Sequence, residues 1–287
     1  MFKLYFSCIL NLLIFELLPI YLREDCMLDK NCNPVADAMR SGKKVSCAWA
    51  QAASPITAEI LAEAGFDVIL VDMEHGPGDI MALIAQIQAM KGEKAVPFVR
   101  APWNDMVIIK RILDAGAYGL VIPYISTKQE AESAVRAAKY PPDGIRGIAG
   151  STRAAHYGCG SLDYFDTANR DVFVFIQIET PEGVKNIDEI LSVPGIDGIF
   201  IGPMDLATTH GYRGKPGTPA MLEIIAGLEK KILAKGKALA TICSDFTDAK
   251  AKYERGYTMI TQISDTIALA KIAREETAKF KKEILGE

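Results

Sequence analysis

Polar residues of the types that do acid–base and metal chemistry close several short apolar runs of this chain. Asp72-Met73-Glu74-His75 follows VILV, Arg100 follows VPFV, Glu179 follows FVFIQI, and Asp205 lies just beyond GIFIG. Glu179 and Asp205 are hard oxygen donors with neither cysteine nor histidine beside them. Such a pair suits Mg²⁺ or Mn²⁺, which keep water and let a substrate complete the octahedron. The competing reading is a structural salt bridge from these carboxylates to Arg100 or another arginine. His75 is the candidate base, while His156 and His210 fall in long loops and read as surface residues. No H-x-H or H-E-x-x-H spacing occurs, which disfavours a histidine-rich zinc site. No lysine closes an apolar run, so a Schiff-base mechanism has no obvious residue. The last two runs end in TICSD and QISDT and lack a glycine-rich phosphate cradle.

These residues can meet only if the runs that carry them lie side by side. From Val45 onward, β-rich runs alternate with helical patterns, the mark of βα units. Strands are expected at Val45–Ala50, Asp67–Asp72, Val96–Arg100, Tyr118–Pro123, Val172–Glu179, Ile196–Gly202, Lys237–Cys243 and Tyr257–Ile263. Most are continuously apolar, as strands covered on both faces must be. Helices are expected at 55–65, 79–91, 104–116, 127–139, 181–191, 219–235, 246–255 and 265–285. Ser54-Pro55 and Thr180-Pro181 supply N-cap chemistry, and glycines such as Gly65 and Gly116 close helices. Ile56, Ile60, Leu61 and Ala64 form the stripe expected to lie on the sheet. Eight units without a linker predict a single-domain α/β protein, a (β/α)₈ TIM barrel with its site at the C-terminal strand ends. A doubly wound open sheet is the structural runner-up, but no G-x-G-x-x-G follows the first strand. The connections 140–171 and 202–219 are long enough to be lids, binding loops or subunit contacts.

Composition narrows the class. The net charge of −4 excludes the basic footprint of a general nucleic-acid binder, and 49% hydrophobic residues suffice for a core. Six cysteines without a C-x-x-C pair fit a reduced, cytoplasmic protein. Residues 1–26 form an apolar leader interrupted by Asn11, Glu16 and Pro19. It reads as an upstream start before Met27, a signal peptide or an anchor, which would leave export or membrane association open. The barrel domain is assigned to 27–287.

Five motifs, AEILAEAGFDVILVDMEHGP, VPFVRAPWND with KRILDAGAYGLVIP, YPPDGIRG, FIQIETPEGVKNIDEI and DGIFIGPMDL, occur in an order and spacing that resemble the HpcH/HpaI aldolase family. The similarity spans about residues 34–275. It implies a class II pyruvate aldolase that reversibly cleaves a 4-hydroxy-2-oxo acid to pyruvate and an aldehyde, using Mg²⁺, Mn²⁺ or Co²⁺. By motif, His75 resembles the base and Arg100 the residue that contacts pyruvate. Glu179 and Asp205 resemble the metal ligands, with Gln177 and the backbone at Met204 beside the substrate. Many relatives carry a small alanine where Met204 stands, which bears on pocket size and the aldehyde. Asp114 resembles a residue that raises the basicity of the histidine. It lies far down its helix from the mouth, so it would reach His75 only from another copy, in a homo-oligomer that is commonly a hexamer in the family. Arg146, Arg153 and Arg170 make the 140–171 connection a candidate for holding an anionic substrate tail or, equally, for binding neighbouring carboxylates or the adjacent subunit. Alternative readings are a citrate-lyase-type or malyl-CoA-type lyase, an oxaloacetate decarboxylase, and a metal-binding barrel without turnover.

Overall fold

A computed structural model describes residues 33–159 and 161–287. The expected leader, 1–26, lies outside the described residues. Eight parallel strands close a barrel in sequence order, β1 (Val45–Ala50), β2 (Val68–Asp72), β3 (Val96–Arg100), β4 (Gly119–Ile122), β5 (Phe173–Ile178), β6 (Gly198–Ile201), β7 (Ala238–Ile242) and β8 (Met259–Ser264), with β8 paired back to β1. The predicted (β/α)₈ barrel is therefore the observed one. Most strands are a residue or two shorter than expected, because terminal residues such as Asp67, Glu179 and Cys243 turn toward caps and loops instead of the ladder.

Helices α2 (Pro55–Glu63), α3 (Ile80–Ala89), α4 (Met106–Asp114) and α5 (Lys128–Ala138) follow the first four strands. The expected helix at 181–191 is two short ones at Asn186, α7 (Pro181–Lys185) and α8 (Ile187–Leu191). The last three units carry α9 (Pro203–Ala207), α10 (Pro219–Ala234), α11 (Phe246–Glu254) and α12 (Asp265–Phe280). Three helices were not anticipated, α9 in the 202–219 connection among them. Short α1 (Pro34–Arg40) is capped by Asn33, whose amide also donates to the Tyr118 and Asp171 carbonyls. It packs Val35, Ala36 and Met39 into the cluster inside the barrel. Helix α6 (Ser161–Asp171) fills the second half of the 140–171 connection, which joins a helix end to a strand start and so lies at the N-terminal face.

The stripe on α2 is rotated from the expected one. Ala58, Leu61 and Ala62 are buried, whereas Ile56 and Ile60 are 66% and 58% exposed and Ala64 is exposed. Two alanines let the helix approach the sheet closely, which turns both isoleucines outward. Helix α12 buries none of its residues, and Ile267, Leu269, Ile272 and Phe280 are exposed along it. No helix among the described residues is long and apolar enough to cross a membrane.

Alternation along the strands divides the apolar residues into an outer layer under the helices and an inner layer. The inner layer is aromatic. Phe98, Phe173 and Phe175 pack together, and Trp49 meets Phe200 edge-on at 5.9 Å. Gly119 and Gly198 are required by that packing, because a Cβ at either would overlap the ring of Phe98 or Phe175. The filled interior forms the floor on which the next inward-facing residues stand.

Candidate active site

The same alternation lifts Trp49, Asp72, Arg100 and Gln177 to the C-terminal end of the barrel. Asp72 and Arg100 are register partners across β2 and β3. Asp72 accepts from Arg100 Nε at 3.0 Å and from Nη2 at 2.7 Å, a bidentate pair. Arg100 Nη1 lies 2.9 Å from Glu74 Oε2, and the guanidinium stands 4.5 Å over the Trp49 ring. The arginine is buried, so its charge is fixed in place by two carboxylates and an indole. Asp72 Oδ1 also accepts the backbone N–H groups of Glu74 and His75 at 3.0 and 3.2 Å. One carboxylate thus holds the arginine and shapes the turn that presents His75. Gly76 completes that turn, where a Cβ would strike the Asp72 carbonyl. Burial raises the Asp72 carboxyl, but hydrogen bonding and charge from Arg100 together with the two N–H groups outweigh it, leaving it below the usual range.

Among the described residues no ion pair reaches Glu179 or Asp205, and the arginine expected to bridge them, Arg100, pairs with Asp72 and Glu74 instead. Glu179 is fully buried and accepts from the Gln177 amide and from the Tyr124 N–H at 2.8 Å. Burial is the main force pushing its carboxyl up to about 7, and the charges of Glu74 and Asp205 add to it. Gly202 leaves the space its neighbours need, since a Cβ there would lie 2.7 Å from Glu179 Oε2 and 3.1 Å from Gln177 Nε2. Gln177 Oε1 is buried without a hydrogen-bond partner. Excess negative charge, hard oxygens and an orphaned amide oxygen fit a divalent cation. Among the described residues no three His, Cys, Asp or Glu side chains close on one point. Mg²⁺ needs only one or two protein carboxylates, with water and substrate in the other positions.

His75, Arg100, Gln177, Met204 and Asp205 line one cavity of about 650 Å³ with Trp49 and Phe200. Five of the residues expected to form the site are therefore together, with Glu179 buried beside Gln177. Asp114 is elsewhere. It ends α4 and pairs with Arg146 at 2.8 Å. Arg146 is fully buried, with its guanidinium 4.4 Å from the Tyr140 ring, Arg153 donates to the Ala115 carbonyl, and Arg170 pairs with Asp171. Arg146 and Arg170 bind neighbouring carboxylates, the second of the two expected readings, and the reading that they grip a substrate tail in their own barrel is corrected. Sequence reasoning passed over Asp72, Glu74 and Trp49 as the supports of Arg100, and Tyr124 as a donor to Glu179. A carboxylate and an arginine closing adjacent parallel strands were the available signal. It also missed Lys271 of α12, which lines the cavity yet is exposed and faces Glu275 at 4.0 Å.

Residues 46–271 match the family described as HpcH/HpaI aldolase/citrate lyase. The chain belongs to that family. It is 39% identical over 239 residues to 5-keto-4-deoxy-D-glucarate aldolase of Escherichia coli O139:H28 (strain E24377A / ETEC), covering 83% of this chain and 93% of the relative. An HpcH/HpaI aldolase/citrate lyase family protein from Burkholderia cenocepacia J2315 superposes with TM-score 0.83 at 34% identity, over 87% of this chain and 99% of that one. The HpcH/HpaI aldolase from Desulfitobacterium hafniense DCB-2 gives 0.80 at 28% identity, over 86% and 96%. The expectation of a carbon–carbon lyase of the aldolase type is borne out by that membership.

Removing one partner of the buried pair exposes its worth. Asp72→Asn is expected to lower unfolding stability by about 3 kcal/mol near neutral pH, measured by urea denaturation. Because the Asp72 pKa is lowered from 3.8, its contribution is complete above that value and is lost as the pH falls through the folded value. The gap between wild type and variant should therefore close in acid.

Proposed function

We propose that the chain is a divalent-metal-dependent class II aldolase that reversibly cleaves a 4-hydroxy-2-oxo acid to pyruvate and an aldehyde. The observation that carries this reading is the shared lining of one cavity by a fixed Arg100, by His75 and by the carboxylate Asp205, which has no ion-pair partner among the described residues, with Glu179 buried beside Gln177. Glu179 and Asp205 would hold Mg²⁺, Mn²⁺ or Co²⁺, which supplies Lewis-acid stabilisation to the 2-oxo acid. His75 accepts the proton of the C4 hydroxyl as the C3–C4 bond breaks. The electron pair of that bond passes to the pyruvate enolate, the C4 fragment leaves as aldehyde, and a proton delivered to C3 completes pyruvate. Arg100 places fixed positive charge beside the enolate oxygen, and its ties to Asp72 and Glu74 spare it reorganisation as charge develops. Gln177 and the backbone at Met204 border the same cavity and orient the acid.

The substrate class favoured is an acidic, hydroxylated chain of the 5-keto-4-deoxy-D-glucarate kind, the substrate named for the 39% identical relative. The half-exposed thioether of Met204 at the cavity wall limits the aldehyde's room.

A homo-oligomer, commonly hexameric in the family, is part of this reading, with Asp114 of one copy serving His75 of another. Its support is the unburied apolar length of α12, the outward Ile56 and Ile60, and the placement of Asp114 at the far end of α4. Complementation tests the shared site. His75→Ala and Asp114→Asn proteins, each impaired alone, should regain activity above both parents when subunits exchange. Verified exchange without recovery contradicts it.

Metal dependence is tested by pyruvate release from a 4-hydroxy-2-oxo acid. Exhaustive chelation should abolish it and added Mg²⁺, Mn²⁺ or Co²⁺ should restore it, while Glu179→Gln should weaken metal and pyruvate binding together. Undiminished turnover by metal-free protein would refute the proposal.

A further inference from the structure

His75 stands on an exposed turn, so the reach of its imidazole depends on the backbone that carries it. Asp72 holds one side of that turn, through the N–H groups of Glu74 and His75. The other side leans on the connection that leaves β1. A Cβ at Gly76 would lie 3.1 Å from the Gln51 carbonyl oxygen, and one at Gly78 would lie 2.8 Å from the Ala53 methyl. The glycines on either side of Pro77 therefore lie flush against residues 51–53. Ala53 keeps its methyl there at a φ of 53°, in the left-handed region that glycine would enter freely. Such a conformation persists only where the surroundings over-determine it.

The first residue of α12 supplies that determination. Asp265 accepts the Gln51 N–H at 2.9 Å on one carboxylate oxygen. On the other it accepts the Ala52 N–H at 3.2 Å and the Thr57 hydroxyl at 2.7 Å. The next residue adds a further tie, since the Thr266 hydroxyl donates to Gln51 Oε1 at 3.1 Å. An acidic residue at a helix start ordinarily serves the N–H groups of its own first turn. Asp265 instead spends both oxygens on donors 208 to 214 residues earlier in the chain. Gln51 lines the same cavity as His75, Arg100 and Asp205, so this tie runs along the wall of the site.

We propose that Asp265 is a positioning residue for the reaction, which acts through residues 51–53 to fix the turn that aims His75 at the C4 hydroxyl. The inference rests on the aldolase reading and deepens it. A base displaced by about 1 Å from its working position loses about 10²-fold in rate. Arg100 and Gln177 are held by hydrogen bonds in which Asp265 takes no part. Loss of Asp265 therefore separates the proton transfer from the binding of pyruvate.

The test measures two quantities in the presence of Mn²⁺, the Kd of pyruvate by calorimetry and kcat for cleavage. The substrate is 5-keto-4-deoxy-D-glucarate, or the 4-hydroxy-2-oxo acid that the wild type cleaves fastest. Asp265→Ala should lower kcat by about tenfold or more and leave the pyruvate Kd within about twofold of wild type. Asp265→Asn, which keeps one carbonyl acceptor, should recover part of the loss. Ala53→Gly removes the methyl that meets Gly78 and relieves the backbone, so it should fold and again lower kcat at unchanged Kd. A folded Asp265→Ala with kcat within about twofold of wild type overturns the inference and leaves the aldolase reading intact. If that variant does not fold, the same result in both Asp265→Asn and Ala53→Gly overturns it. Pyruvate binding that weakens in step with kcat also overturns it, and makes Asp265 a general support of the barrel mouth. Wild-type protein that releases no pyruvate from any 4-hydroxy-2-oxo acid refutes the aldolase reading, and this inference with it.

Discussion

The burial of Arg100 is the constraint from which the site follows. A guanidinium removed from water needs opposite charge and filled hydrogen bonds, or the penalty exceeds what packing returns. Asp72 supplies two hydrogen bonds, Glu74 a second charge, and the Trp49 face covers the third side. Each support comes from an adjacent part of the barrel wall, so the arginine cannot swing without disturbing β1, β2 and the His75 turn together. The arrangement spends Asp72 and Glu74 on Arg100 and leaves Glu179 and Asp205 without an ion-pair partner among the described residues. Rigid positive charge and carboxylates without an ion-pair partner among the described residues share one polarised cleft, suited to a small 2-oxo acid.

The barrel converts this local requirement into position. Its interior is packed with phenylalanines against glycines, so no slack lies beneath the polar layer. Alternation then aims every second residue of a strand at the mouth, and parallel register sets Asp72 opposite Arg100. The N-terminal face has its own buried charges, with Arg146 beneath Tyr140 and Tyr164 and Lys139 donating to the Asn169 and Val172 carbonyls. Those are structural ties, in line with the division of labour between the two ends of such barrels.

Much of this was legible beforehand because βα alternation and strand-end polarity are local signals. The eight strands, the single barrel and the gathering of His75, Arg100 and Asp205 follow from patterns within a few residues, whereas Gln177 and Met204 were implied only by the family resemblance. Pairings between strands are not written that way. Arg100 could have met any carboxylate at the mouth, and only register selects Asp72 over Glu179. For the 140–171 connection the arginines left substrate binding and pairing with neighbouring carboxylates equally open, and its place between a helix end and a strand start, at the opposite face, decides for the second. The α2 stripe misled because alanines, not isoleucines, govern close approach to the sheet. The left-handed Ala53 had no sequence signal at all, since an alanine does not announce positive φ.

The central claim is the opposition of a metal on Glu179 and Asp205 to Arg100 across bound pyruvate. A crystal structure of the protein with Mn²⁺ and pyruvate, with the ion located by its anomalous scattering, tests it most directly. The account predicts the Mn²⁺ peak bound by both carboxylates, with a pyruvate oxygen within hydrogen-bond distance of Arg100. An ion elsewhere, or pyruvate bound away from Arg100, would contradict it.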